Sequence, residues 1–264
     1  SMAEDSEGSL WFGTAGAGVR QLDSRTGRWR TYDKGTELGA DTVLSILADR
    51  GGNLWFGTLG AGVVKRDRRT GHFQHYGAAE GLDADRVKSI LEDKDGALWF
   101  GSVNGVHRLD PRSGRWSRYR KQSGLVDEDV RAMAQDPSGV LWFGTRAGVS
   151  KLNPRSGAWS TYRQSPDGLS GNDVRAILVD NQGALWFASF GGGVSRLDPG
   201  SGQWKSYHQA GSPGTDDVLS LMQDRDDGVW LGTFRGGVSR INLRTGAMAS
   251  FRPSSFMTVP GSLL

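Results

Sequence analysis

The 264 residues carry 32 Lys and Arg against 29 Asp and Glu, a net charge of +3, and no cysteine. That composition excludes disulfides and thiolate metal sites, and without a block of like charge it argues against a nucleic-acid partner. No apolar run approaches the ~18 residues a membrane-spanning helix needs and no secretory leader is evident, so a soluble chain without a membrane span is expected.

Forty glycines and ten tryptophans point to tight turns around aromatic-filled sheets. In chain order, the segment LWFGT at Leu10–Thr14 returns as LWFGT at Leu54–Thr58, LWFGS at Leu98–Ser102 and LWFGT at Leu141–Thr145. LWFAS at Leu185–Ser189 and VWLGT at Val229–Thr233 complete the series. The tryptophans Trp11, Trp55, Trp99, Trp142, Trp186 and Trp230 are spaced 44, 44, 43, 44 and 44 residues. A period of about 40–45 residues holding four short β segments is the mark of a propeller blade.

The second repeat shows the segments. Val43–Asp49, Leu54–Thr58, Val63–Asp67 and His72–Tyr76 read as four strands separated by Gly-rich turns. The predicted fold is all-β: one domain over residues 1–264, a six-bladed β-propeller with four antiparallel strands per blade. Successive strand residues face opposite ways, so Trp11 and Phe12 and their equivalents send one aromatic toward each neighbouring blade. Gly13, Gly57, Gly101 and Gly144 follow where a side chain would obstruct packing. Asp5, Asp49, Asp93, Asp136, Asp180 and Asp224, each six residues before its Trp, are expected to bond turn amides. Joined end to end, the termini align without a gap to Thr42–Phe56. Gly261–Leu264 and Ser1–Asp5 are therefore expected to share the first strand of blade 1 and seal a monomeric ring.

The pattern V-x-S-I-x-x-D-x-x-G-x-L-W-F-G-T, then G-V-x-R-L-D, T-G and W-x-x-Y, resembles the two-component regulator propeller repeat across essentially the whole chain. The resemblance implies the sensor portion of a bacterial hybrid two-component regulator. Such portions often lie outside the cytoplasmic membrane, in a periplasmic or extracellular setting, and often concern polysaccharide fragments. It thus implies a non-catalytic, ligand-sensing module. The family ring is usually seven-bladed and carries membrane and kinase segments that this sequence lacks. An excised or engineered scaffold with no cognate ligand is the alternative reading, and a propeller lyase or hydrolase the third.

Binding residues should appear where repeats differ on the face shared by the second-to-third and fourth-to-first loops. After the LWFGT-type segment stand Ala15, Leu59, Val103, Arg146, Phe190 and Phe234, with Arg235 following. Two aromatics beside Arg suit a sugar ring or another flat ligand, with Phe256 expected nearby; alternatively the rings plug a gap between blades. One residue beyond the first-strand valine stand Leu44, Lys88, Arg131, Arg175, Leu219 and Leu264. Lys88, Arg131 and Arg175 would give a basic arc suited to a small anionic ligand. Asp85, Glu128, Asp129, Asp173, Asp216 and Asp217 just before them offer ion-pair partners instead. Arg25, Arg69, Arg112, Arg155 and Arg244 read as solvated turn residues. The histidines His72, His75, His107 and His208 form no ring, and the Asp93–Asp95 and Asp224–Asp226 turns lack the oxygen ligands of a calcium loop. No catalytic residue, metal or cofactor is expected.

Overall fold

In the computed structural model, which describes residues 1–208 and 216–251, each repeat folds as a four-stranded antiparallel sheet whose strands pair in chain order. The chain divides into two compact units, Ser1–Arg163 with four sheets and Gln164–Leu264 with two. Among the described residues the helical segments are the 3₁₀ turns Ala78–Glu80 and Lys121–Ser123, and no helix is long and apolar enough to cross a membrane. Met2–Glu4 pairs with Leu10–Gly13 as the first strand of its sheet. The expected contribution of Gly261–Leu264 to that strand lies outside the described residues.

The second repeat again stands for the others. Its strands are Val43–Ala48, Leu54–Thr58, Val63–Arg66 and Phe73–Tyr76. Leu54–Thr58 is buried along its whole length, because both faces of the sheet are covered. Phe56 packs with Trp11, Val19 and Leu38 on one side, and Trp55 packs with Leu98 and Phe100 on the other. The same contact recurs through the first unit: Trp11 on Phe56, Trp55 on Phe100 and Trp99 on Phe143, with ring centroids 5.8, 5.8 and 5.9 Å apart. In the second unit Trp186 packs with Val218, Val229 and Leu231 of the following sheet. An aromatic of the fourth strand stacks on each framework indole, as Tyr32, Tyr76 and Tyr119 do on Trp11, Trp55 and Trp99 at 5.5 Å and Phe251 does on Trp230 at 5.5 Å.

The aspartate that ends each first strand does more than hold a turn. In the third repeat Asp93 Oδ1 accepts the amides of Asp95 and Ala97, both at 2.9 Å. Its Oδ2 accepts the indole N–H of Trp99 at 2.7 Å. The indole bond is present in every repeat, from Trp11, Trp55, Trp142, Trp186 and Trp230 to Asp5, Asp49, Asp136, Asp180 and Asp224, at 2.7 to 3.0 Å. One carboxylate thus closes the hairpin and fixes the plane of the ring that the next sheet packs against. The glycine after each Trp–Phe pair serves the same packing. A Cβ on Gly57 would stand 2.7 Å from the Val87 carbonyl oxygen, and one on Gly101 would stand 2.9 Å from Val130 Cγ1. Both obstacles belong to the first strand of the next sheet.

Asp93 and Trp99 are 5% and 1% exposed, so neither can exchange its partner for water. Trp99→Phe, which keeps a ring but strands the carboxylate oxygen, is expected to destabilise the fold by about 1.5–3 kcal/mol. Asp93→Ala should cost at least as much, and the double variant should fall short of the sum by about 1–3 kcal/mol in urea denaturation. Strictly additive losses would show that the two groups do not act as a unit.

Candidate functional site

Backbone hydrogen bonds tie each second-to-third loop to the fourth-to-first loop beside it. Gly60 N–H donates to the Asp85 carbonyl at 2.6 Å, Gly105 to Glu128 at 2.8 Å, and Gly193 to Asp216 at 2.9 Å. The two loop classes do share a face, so residues that vary there stand together.

In the second unit this brings four of the expected residues into contact. Phe190 and Phe234 donate their amides to the Asp173 and Asp217 carbonyls at 2.8 and 2.9 Å. That anchorage leaves the two rings touching, with centroids 6.2 Å apart and planes inclined at 57°. They are 38% and 54% exposed, so each keeps an edge and much of a face in water. The Arg175 guanidinium lies 5.1 Å from the centre of the Phe190 ring, and that of Arg235 lies 5.2 Å from Phe234. Arg175 also donates to Asp173 Oδ2 at 2.7 Å, which balances its charge and holds it over the ring. The result is a two-ring platform rimmed by guanidinium groups.

In the first unit the expected basic residues are drawn to one carboxylate. Lys88 Nζ bonds Asp129 Oδ1, while Arg131 donates to Asp129 Oδ2 through Nε at 3.1 Å and Nη2 at 2.9 Å. Burial alone would raise the Asp129 pKa, but the bonds from Arg131 and Lys88 outweigh it and hold the carboxyl below its ordinary range. Arg146 joins through its backbone, donating its N–H to the Asp129 carbonyl at 3.2 Å, and its side chain is exposed. Much of the cationic character expected of Lys88 and Arg131 is therefore spent on Asp129. Phe256 and Leu264 lie outside the described residues.

A second cluster escaped the sequence reading. The register position opposite the framework phenylalanine is Ser150 in the fourth repeat and Ser195 in the fifth. Their hydroxyls accept the loop amides of Val126 and Ser170 at 2.8 and 2.7 Å. The third repeat has His107 there instead, fully buried. Its Nε2 meets Asp83 Oδ1 at 2.5 Å, and Asp83 Oδ2 also takes Arg118 and, at 2.8 Å, Arg120. Because the carboxylate accepts, the imidazole donates from Nε2, and Nδ1 is left buried without a hydrogen-bond partner. Asp83 walls an open pocket of about 600 Å³ together with Gly60, Gly62, Leu82, Asp85 and Asn104. A histidine where the fourth, fifth and sixth repeats carry serine was the readable signal. Among the described residues, no three His, Asp or Glu side chains converge as a metal site requires.

Burial pushes the His107 pKa down, with the Asp83 bond acting against it. The folded chain therefore takes up this proton less readily than the unfolded chain. Stability is full above the ordinary histidine range, about pH 6.5, and falls as pH drops through and below it. Asp83, where burial is outweighed by His107 and the two arginines, is held low; its contribution is lost only in stronger acid. His107→Ser is expected to flatten the denaturation midpoint between about pH 7 and pH 5. Parallel pH profiles for variant and parent would contradict that assignment.

Comparison with known proteins follows the repeat. The two component regulator propeller family model matches residues 37–60, 81–104, 124–147, 168–191 and 212–235, each match running from a fourth-to-first loop through the LWFGT-type strand. The chain is similar in fold to the extracellular domain of BT3049, assigned to a hybrid two component system of B. thetaiotaomicron, at 21% identity and a TM-score of 0.80. That match covers 96% of this chain and 34% of the other. The extracellular domain of BT4673 from the same organism matches at 23% identity and a TM-score of 0.80, over 95% of this chain and 36% of that one. This chain therefore spans about a third of the length of these two structures. Virginiamycin B lyase from Staphylococcus aureus matches at 16% identity and a TM-score of 0.76, over 96% of this chain and 84% of the lyase. No curated protein matches the sequence. The fold class is the all-β propeller, with six four-stranded blades.

Proposed function

Because the repeats of this chain belong to the two component regulator propeller family, we propose that it is the ligand-recognition part of such a regulator, without catalytic activity of its own. It works outside the cytoplasmic membrane, as the extracellular domains it resembles do. The observation that carries the reading is the Phe190–Phe234 platform. A single exposed aromatic is ordinary at a protein surface, but two exposed rings in contact, each faced by a guanidinium, form a surface with recognisable chemistry. The ring faces suit the C–H face of a sugar, and the rim of Arg175 and Arg235 suits hydroxyl or carboxylate substituents. A saccharide fragment bearing an acidic group meets both demands. The likeness to a lyase is one of fold, and fold is shared by proteins of unrelated activity.

Titration calorimetry against neutral and acidic oligosaccharides tests the reading. An acidic fragment is expected to bind, and Phe190→Ala with Phe234→Ala is expected to weaken it about tenfold or more, at roughly 0.5–1.5 kcal/mol per ring. Arg235→Ala should weaken acidic fragments more than neutral ones. Binding that survives the double ring truncation would remove the site.

A further inference from the structure

The loops that enter the third and fourth repeats, residues 77–86 and 120–129, align without a gap. Each holds a 3₁₀ turn, Ala78–Glu80 in one and Lys121–Ser123 in the other, ended by a left-handed glycine, Gly81 or Gly124. Near the end of each loop a carbonyl, of Asp85 or Glu128, accepts the amide of Gly60 or Gly105 at 2.6 or 2.8 Å. The backbones match, but the side chains that close the loops do not. In the second loop Lys121 Nζ lies 3.3 Å from Asp127 Oδ2, and Glu128 Oε1 accepts the Lys121 amide at 3.4 Å. The aligned residues of the first loop are Ala78, Ala84 and Asp85. Two alanines delete the ion pair, and aspartate is one methylene shorter than the glutamate that reaches the amide. These three residues instead line the open pocket of about 600 Å³.

We propose that this pocket is a binding site for an aliphatic primary amine, the group that the aligned loop carries as its own lysine. The lining supplies both halves of the recognition. Ala61, Ala78, Leu82 and Ala84 offer apolar surface to an alkyl chain. Asp85 offers an exposed carboxylate with no hydrogen-bond or ion-pair partner among the described residues. Asn104 Nδ2 is spent on the Asp83 carbonyl at 2.9 Å, which leaves Oδ1 to accept. An ammonium has three donors and no acceptor, so a wall rich in acceptors suits it and not an anion. Its bond to a carboxylate is charge-assisted and correspondingly strong. The other carboxylate of the pocket does not compete, because Asp83 is already engaged by His107, Arg118 and Arg120. All of these residues belong to the first unit, and the Phe190–Phe234 platform contributes none of them, so the two sites stand or fall separately.

Titration of n-butylammonium into the chain, followed by amide NMR shifts, is the test, with n-butanol as the uncharged probe of equal chain length. Butylammonium is expected to give saturable shifts at Ala61, Ala78, Ala84, Asp85 and Asn104, and butanol is not. Asp85→Asn keeps the size of the side chain and removes its charge, so affinity should fall about tenfold or more. Ala78→Lys with Ala84→Asp installs the closing pair of the aligned loop, which the fold already accommodates one repeat further on. That variant should lose binding although Asp85 is still present. An amide spectrum otherwise like that of the parent verifies that both variants fold. Shifts that never saturate, that butanol reproduces, or that persist undiminished in either variant overturn the proposal.

Discussion

A single carboxylate-to-indole hydrogen bond organises every repeat. The aspartate at the end of the first strand accepts turn donors with one oxygen and the Trp N–H with the other, as Asp180 does with the Gln182 and Ala184 amides and with Trp186 at 3.0, 2.8 and 2.8 Å. Hydrogen bonds to a charged acceptor are stronger than neutral ones, and here the acceptor is buried, with Asp180 4% exposed. The bond removes the one polar atom that would make a fully buried indole unfavourable. It also removes the freedom of the ring to rotate away. A fixed, flat indole is what the fourth-strand aromatic stacks on from its own sheet and what the phenylalanine meets from the next.

From that constraint the packing of neighbouring sheets follows. Trp11, Trp55, Trp99 and Trp186 are each covered by the following sheet of their unit, so a sheet needs a neighbour, and stability within a unit is carried by nearest-neighbour contacts. The glycine after the Trp–Phe pair lets the next first strand approach; where Ala188 replaces it in the fifth repeat, the methyl is itself fully buried.

Much of this was legible in the sequence, for a physical reason. Repeats that must stack against copies of themselves have to place the same residues at the same period, so Trp11, Phe12, Gly13 and Asp5 announce their roles by recurrence. The turn-capping half of the aspartate's role could be read from its spacing to the turn. Its indole half could not, because that contact depends on how the hairpin brings a residue six positions away back across the turn. The platform was legible as a pair, since Phe190 and Phe234 break the repeat at one framework position in adjacent blades. The ion pairs were legible only as alternatives. Lys88 and Asp129 are 41 residues apart, and only the approach of neighbouring first strands decides that they meet. His107 was visible as a departure from serine but not as a buried donor to Asp83, because burial at that register comes from the loop folded over it.

Hydrogen exchange at the tryptophan indoles, followed by NMR, tests the central claim most directly. Six of the ten indole protons, those of Trp11, Trp55, Trp99, Trp142, Trp186 and Trp230, should resist exchange far longer than that of the exposed Trp29. Framework indoles that exchange as fast as Trp29 would mean that the carboxylates do not hold them, and the account of how the sheets are organised would fail.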